Sequence, residues 1–106
     1  MSTAIAEYEK LVAAFAEAEG VSTALLFGKP CLKIHGKAFV AQHKDKVVFK
    51  LKGANHQKAL SLSGAILWDP SDTGRPMKEW VALPPSEANR FEALSNAALA
   101  YVSASA

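Results

Sequence analysis

Apolar residues recur at helical spacing near both ends of the chain and at a spacing of two in between. The pattern predicts a helix over residues 3–19, capped by Ser2 or Thr3 and ended by Gly20. Its apolar stripe consists of Ile5, Tyr8, Leu11, Val12 and Phe15. A last helix is predicted after Pro84 and Pro85, with Ser86 as its cap. The apolar stripe of this last helix consists of Phe91, Leu94, Ala98, Tyr101 and Val102.

The alternating region between these helices predicts five strands, at residues 31–35, 37–42, 47–51, 65–68 and 78–83. A short helix is expected over residues 54–64, with Asn55 as its cap and Gly64 at its end. The segment 21–30 is apolar but is interrupted by Gly28 and Pro30, and it is interpreted as an approach to the first strand.

The element order α-β-β-β-α-β-β-α predicts one α+β domain over residues 1–106, built in two layers. Helices are expected on one face of a five-stranded antiparallel sheet, because both helical stripes need a sheet face on which to be buried. The other face is expected to be open to water or to a partner. The side chains expected on the open face are Lys33, His35, Val48 and Lys50, and those expected to face the helices are Leu32, Ile34, Phe49 and Leu51.

The composition suits an ordinary globular domain, since half of the 106 residues are apolar and about a fifth are charged. The only cysteine, Cys31, excludes an internal disulfide and fits a reducing compartment. The N-terminus has no basic region typical of a secretory signal, and no apolar run is long enough to span a bilayer. We therefore expect a cytoplasmic protein that does not associate with membranes.

The net charge of +2 conceals an uneven distribution of charge. Residues 29–58 contain eight lysines and a single acid, Asp45, whereas the first helix is mainly acidic. Such segregation can mark a surface that binds nucleic acid or an acidic partner. It is equally typical of the solvated side of a sheet, and this second interpretation is favoured.

The chain offers few residues with catalytic potential. Cys31 and His35 share a strand face, but four strand residues span roughly 13 Å, which is too far for a shared hydrogen bond. A buried structural thiol is therefore favoured over a nucleophile for Cys31. The three histidines have no metal-ligand spacing, and no nucleotide-binding or nucleophile-elbow motif occurs. No metal, cofactor or catalytic residue is expected.

The loop from Asp69 to Trp80 carries the best candidates for contact with a partner. Asp69 and Asp72 are turn-forming acids that can pair with Arg75. We predict that Arg75 orders the loop, so that Trp80 closes a core or a dimer contact. An arginine beside an exposed tryptophan would instead be a favourable partner contact, and Lys33 and Lys50 are candidate contacts on the open face.

Four segments resemble the N-terminal domain of the TfoX/Sxy family: LLFGKPCLKIHGKAF (25–39), VVFKL (47–51), GRPMKEWVALP (74–84) and LSNAALAY (94–101). The resemblance covers about residues 20–102, and a similarity to YjbR-like proteins is more distant. It implies a two-layer α+β domain without known enzymatic activity. TfoX/Sxy proteins regulate natural competence together with a transcription activator, and they carry a second, C-terminal domain that these 106 residues lack. A single-domain relative could be an adaptor or a dimerising module.

The favoured function is therefore a non-enzymatic interaction module with an unidentified protein partner. Two alternatives stay open: weak binding of nucleic acid through phosphate contacts, and a small enzyme that uses Cys31. A homodimer is a further option.

Overall fold

The computed structural model describes residues 3–70 and 74–104. Helix α1 spans Ala4–Ala14, α2 spans Gly53–Leu60, and α3 spans Phe91–Ala104 after a 3₁₀ helix over Pro85–Arg90. The six strands are β1 (Val21–Leu26), β2 (Lys29–Ile34), β3 (Lys37–His43), β4 (Lys46–Lys50), β5 (Ile66–Trp68) and β6 (Met77–Leu83).

All six strands form one antiparallel sheet in the order β1-β2-β3-β4-β6-β5. The predicted α+β class and the placement of the helices on the sheet are confirmed. The strand count of five was one too low, because the segment interpreted as an approach forms β1. This strand lacks clear alternation, since Ser22, Thr23 and Leu25 are all exposed.

The helices bury their apolar stripes on one face of the sheet. Phe15, just after α1, packs edge-on against Phe39 of β3, with 5.6 Å between ring centroids. Phe91 of α3 packs against Phe49 of β4 at 5.2 Å. Leu32, Ile34, Phe49 and Leu51 all belong to this core, as predicted.

The helix boundaries differ from the prediction in four places. Helix α1 ends at Ala14 rather than near residue 19, and Ile5 of its predicted stripe is 56% exposed. The N-cap of α2 is Lys52 and not Asn55, which lies inside the helix, and α2 ends at Leu60 rather than at Gly64. Ser86 lies in the 3₁₀ helix and α3 begins only at Phe91. The Thr3 cap is confirmed, because its Oγ1 accepts a hydrogen bond from the Ala6 N–H at 3.1 Å.

An irregularity in β3 determines which side chains reach each face. The register between β2 and β3 shifts at Leu32 and Lys33, so that Ala38 and Val40 oppose consecutive residues of β2. Such a bulge interrupts the alternation of side chains. Phe39 and Val40 are therefore both buried in the core beneath the helices, while Ala38 and Ala41 belong to a second cluster on the opposite face.

Candidate functional site: the concave face of the sheet

The sheet face opposite the helices is concave. Phe27, in the turn after β1, has its ring centroid 6.3 Å from that of Trp68 on β5. These strands are the two edges of the sheet. In a flat six-stranded sheet, with about 4.8 Å between strands, the edges would lie about 24 Å apart, which is beyond the combined reach of the two side chains. The sheet therefore curls around this face.

Two tryptophans fill the concave face. The rings of Trp68 and Trp80 meet edge to face at 5.2 Å, and both residues are buried. The cluster beneath and around them includes Cys31, Ala41 and Val48, which are all 0% exposed. Small side chains leave room for the two large rings, which exclude water from the strands below.

The two tryptophans and the cluster around them form a second core. The expectation that this sheet face is open was therefore wrong. Val48, which was expected to be open to water or a partner, is fully buried. His35 does not lie on this strand face at all, because it occupies the turn after β2 with a φ of 49°. Of the four residues expected on the open face, Lys33 and Lys50 are partly accessible.

Trp68 is oriented by a histidine. Its Nε1–H donates a hydrogen bond of 2.9 Å to Nδ1 of His43, the last residue of β3. The two rings also meet edge to face at 6.0 Å. An acceptor nitrogen carries no proton, so this arrangement requires the neutral imidazole with its proton on Nε2. The bond satisfies the indole N–H, which a buried tryptophan requires.

A cleft of about 350 Å³ opens at one side of the concave face. Its volume lies near the lower end of the range for small-ligand sites. Apolar side chains from separate strands line it, and two lysine residues contribute to its wall. The lining residues are Leu26, Lys37, Ala38, Lys50, Met77, Trp80 and Val102.

Two of the predicted contact residues, Lys33 and Lys50, lie at this cleft or beside it. Lys50 lines the cleft, and its Nζ is 4.0 Å from Oε1 of Glu79. Glu79 is held in turn by Tyr101 of α3, whose hydroxyl donates to Oε2 at 2.6 Å. Lys33 pairs with Ala38 across the β2–β3 ladder, which places it next to the cleft wall. Among the described residues, the cleft is thus surrounded by lysines, and Glu79 is the carboxylate beside Lys50.

Trp80 is buried, and it also forms part of the cleft lining. It is 5% exposed and belongs to the second core, so the prediction that it closes a core is confirmed.

Arg75 is exposed, and within residues 3–70 and 74–104 it has no hydrogen bond or ion pair. The Oδ2 of Asp69 accepts a hydrogen bond of 2.8 Å from the Gly74 N–H. Among the described residues the anchoring role predicted for Arg75 is not seen, and the predicted partner Asp72 lies outside the described residues.

Cys31 has the environment of a structural thiol. It is completely buried, and burial raises the pKa of its thiol, an effect that Lys33 opposes only in part. The thiolate is the reactive form of cysteine. The burial of Cys31 therefore disfavours nucleophilic chemistry at neutral pH.

Sequence patterns missed Leu26, Lys37 and Met77 as residues of the cleft. Leu26 is the last residue of β1, which pairs with β2. Met77 is the first residue of β6 and lies opposite Trp68 of β5. Only the curl of the sheet brings them together, and no local pattern encodes it. Lys37 carried a weak signal, since it is one of the lysines at the start of a predicted strand.

The described residues contain no group of three His, Cys, Asp or Glu side chains able to hold a metal ion. Across the same residues, every helix is too short or too polar to span a bilayer. The chain matches no protein-family model, and comparisons with curated proteins and with solved structures gave no significant match. The resemblance to the TfoX/Sxy N-terminal domain therefore rests on its sequence segments and stays a prediction.

Proposed function

We propose that this protein is a non-enzymatic interaction module of the TfoX/Sxy N-terminal type, whose partner is an acidic protein segment carrying an apolar side chain. The observation that carries the proposal is the cleft, in which apolar walls are combined with Lys37 and Lys50. Lys33 adds a third cation beside Ala38. A cytoplasmic setting is part of the proposal.

The chemistry of the cleft favours a peptide over other ligands. Leu26, Ala38 and Met77 offer apolar surface to one inserted side chain. The surrounding lysines attract carboxylates on either side of that side chain, and electrostatic complementarity speeds association and excludes basic partners. Lysine carries its charge on a flexible stem, so it tolerates varied carboxylate positions along a peptide.

The arrangement of the lysines favours a protein partner over nucleic acid. Lys37 begins β3 and Lys44 follows its end, which separates the two by roughly 20 Å along the strand. Lys44 and Lys46 thus lie at the opposite end of β3 from the cleft, and Lys46 lies 3.9 Å from Asp45. A nucleic-acid surface needs a continuous basic path along the backbone, and these lysines are divided between two ends of the sheet.

An enzymatic function is the weaker alternative because its nucleophile would be Cys31. The complete burial of Cys31 keeps a substrate away from the sulfur. The raised pKa of the Cys31 thiol also lowers the fraction present as thiolate. His35, which strand spacing already puts too far from Cys31 for a shared hydrogen bond, lies in the turn that follows β2.

The proposal is tested with a fluorescent acidic peptide that has leucine at its centre and with the same peptide carrying glycine there. Wild-type protein should bind the leucine peptide more tightly. The double variant Lys33→Glu, Lys50→Glu should weaken binding at least tenfold, which corresponds to about 1.4 kcal/mol. Urea unfolding of the variant shows whether the fold survives the added carboxylate near Glu79.

The matched control is Lys44→Glu, Lys58→Glu, which changes the net charge equally at two exposed positions outside the cleft. Equal loss of binding in both double variants would mean that only the overall charge matters. If the wild-type protein bound the leucine and glycine peptides with equal affinity, the apolar part of the proposal would be wrong. Duplex DNA is titrated in parallel, and steeply salt-dependent DNA binding without peptide binding would replace the proposal with a nucleic-acid function.

A further inference from the structure

A second cavity, of about 180 Å³, lies between α2 and the start of α3. Its floor includes Ala59, which is 0% exposed, and Leu94, which is 7% exposed. Both residues also belong to the core between the helices and the sheet. The cavity is therefore on the opposite side of the sheet from the concave face, and its described lining shares no residue with the cleft there.

Helical spacing builds the two walls of the cavity. The residues of the α2 wall recur at positions i, i+3, i+4 and i+7, which share one face of a helix: Asn55, Lys58, Ala59 and Leu62. The helical path reaches Leu62 because its N–H donates to the Ala59 carbonyl at 3.1 Å. The residues of the opposite wall, from the 3₁₀ helix into α3, are also neighbours on one helical face: Asn89, Arg90, Ala93 and Leu94.

Each wall carries one amide and one cation at its rim. Asn55 and Lys58 are exposed on the α2 wall, and Asn89 and Arg90 are exposed on the opposite wall. Amide, ammonium and guanidinium groups all donate hydrogen bonds through N–H. The cavity therefore has an apolar floor under a rim of hydrogen-bond donors with two positive charges.

The rim groups have no internal partners. Within the part of the chain that the structure describes, none of these four side chains makes a hydrogen bond or an ion pair. Glu87 and Glu92 flank Arg90 in the sequence, yet neither pairs with it. The described lining residues include no acid. Both cations are thus available to an anion from solution.

We propose that this cavity binds a small aromatic carboxylate of about the size of benzoate. The guanidinium of arginine presents its N–H groups in a fixed fork that matches a carboxylate, so Arg90 pairs with the ligand and Lys58 adds charge from the opposite wall. A cavity of about 150 Å³ is large enough for a benzene ring. The observed 180 Å³ holds the ring against Ala59 and Leu94 with the carboxylate at the rim.

The combination of charge and apolar floor distinguishes this ligand from simpler ones. Inorganic phosphate pairs with the cations but leaves the apolar floor uncovered. A neutral ring covers the floor but leaves the cations without a partner. An aromatic carboxylate does both.

The cavity acts independently of the cleft that carries the proposed function. Lys58 lines the cavity and not the cleft. Lys58→Glu should therefore weaken benzoate binding and leave binding of the acidic peptide unchanged. Absence of benzoate binding would leave the proposed function intact, and failure of the peptide experiment would leave this cavity intact.

The test is a titration of the full chain with benzoate, followed by the NMR shifts of the backbone amides. The shifts should saturate and should be confined to α2, the 3₁₀ helix and the start of α3. The dissociation constant should be in the millimolar range for a ligand of this size. Benzamide, which has the same shape without the charge, should bind at least tenfold more weakly. Acetate, which lacks the ring, and inorganic phosphate should show the same loss.

Two variants separate the charge from the cavity itself. Arg90→Gln should weaken benzoate binding at least tenfold. Arg75→Gln is the matched control and should bind normally, because Arg75 is the only other arginine, is exposed and does not line the cavity. Ala93→Leu fills the cavity without changing its charge, and it should abolish binding. Leucine is a strong helix former, so urea midpoints should show that this variant is folded.

Several outcomes would overturn the proposal. They are the absence of saturable shifts in the wild type, shifts that lie outside the named elements, and equal affinity for benzoate and benzamide. Equal losses in Arg90→Gln and Arg75→Gln, or normal binding by Ala93→Leu, would also overturn it. Tighter binding of phosphate than of benzoate would show that the apolar floor plays no part. The ligand comparisons use the wild-type protein, so they decide the question even if a variant does not fold.

Discussion

Trp80→Ala should be among the most damaging substitutions in the second core. The residue is 5% exposed and its ring packs on Trp68. A buried tryptophan removes roughly 150–250 Å² from water, which is worth about 5 kcal/mol at about 25 cal/mol per Å². Partial movement of Trp68 and Met77 into the vacated space reduces the loss. We expect the free energy of unfolding to fall by about 4 kcal/mol, within the range seen for large aromatic truncations.

Urea unfolding followed by fluorescence measures this loss. The protein has only two tryptophans, so Trp68 becomes the sole indole probe in the variant. Its emission should shift to the red in the folded state, because removal of Trp80 admits water to one side of the ring. Arg75→Ala is the matched control in the neighbouring loop. Its side chain is exposed and has no hydrogen bond or ion pair with the described residues, which predicts a loss below about 0.5 kcal/mol. If Trp80→Ala were within about 1 kcal/mol of the wild type, the concave face would not be a core.

Further predictions concern three buried side chains. Cys31 should react with a neutral alkylating agent at pH 7 far more slowly than the same thiol in urea, and equal rates would contradict its burial. Burial raises the pKa of Tyr8 from 10.0 to about 12. The unfolded chain therefore loses this proton first, and stability should fall by up to about 3 kcal/mol as the pH rises from about 10 to about 12. Tyr8→Phe should lack this contribution to the alkaline loss of stability, and its urea midpoint should fall less across the range than that of the wild type. Trp68→Phe removes the hydrogen bond to His43 and part of the ring, so calorimetry should show a loss of about 2 kcal/mol. An unchanged unfolding midpoint would argue against that bond.

The helix-facing core was predictable because its signal is local. Leu32 and Ile34 alternate with polar or small neighbours, and Phe49 and Leu51 flank Lys50; each lies on the predicted side of its strand. The stripe of α3 was identified for the same reason, since Phe91 and Ala98 recur at helical spacing and are buried. A pattern within one element is sufficient when that element buries one face only.

Strand β1 was missed because it is an edge strand with little to bury. Only three of its side chains are partly covered, and none is fully buried. Its pairing with β2 requires the turn at Phe27 and Gly28, both of which have positive φ values, 52° and 77°. Gly28 signalled a turn, but the sequence on its N-terminal side carried no alternation that would identify a strand.

The concave face could not be predicted from the sequence for a different reason, because it depends on the curvature of a sheet whose strands are distant in sequence. Ala38, Ala41 and Ala82 are weak signals individually, because alanine suits helix, strand or surface. The bulge in β3 directs Ala38 and Ala41 to the concave face. Their small side chains leave space above the strands for large aromatic rings. Trp68 and Trp80 supply those rings, and the basic cleft lies where Trp80 meets Lys50, its partner on β4. The lysines named from the sequence therefore acquire a common location only through the packing of alanines and tryptophans beneath them.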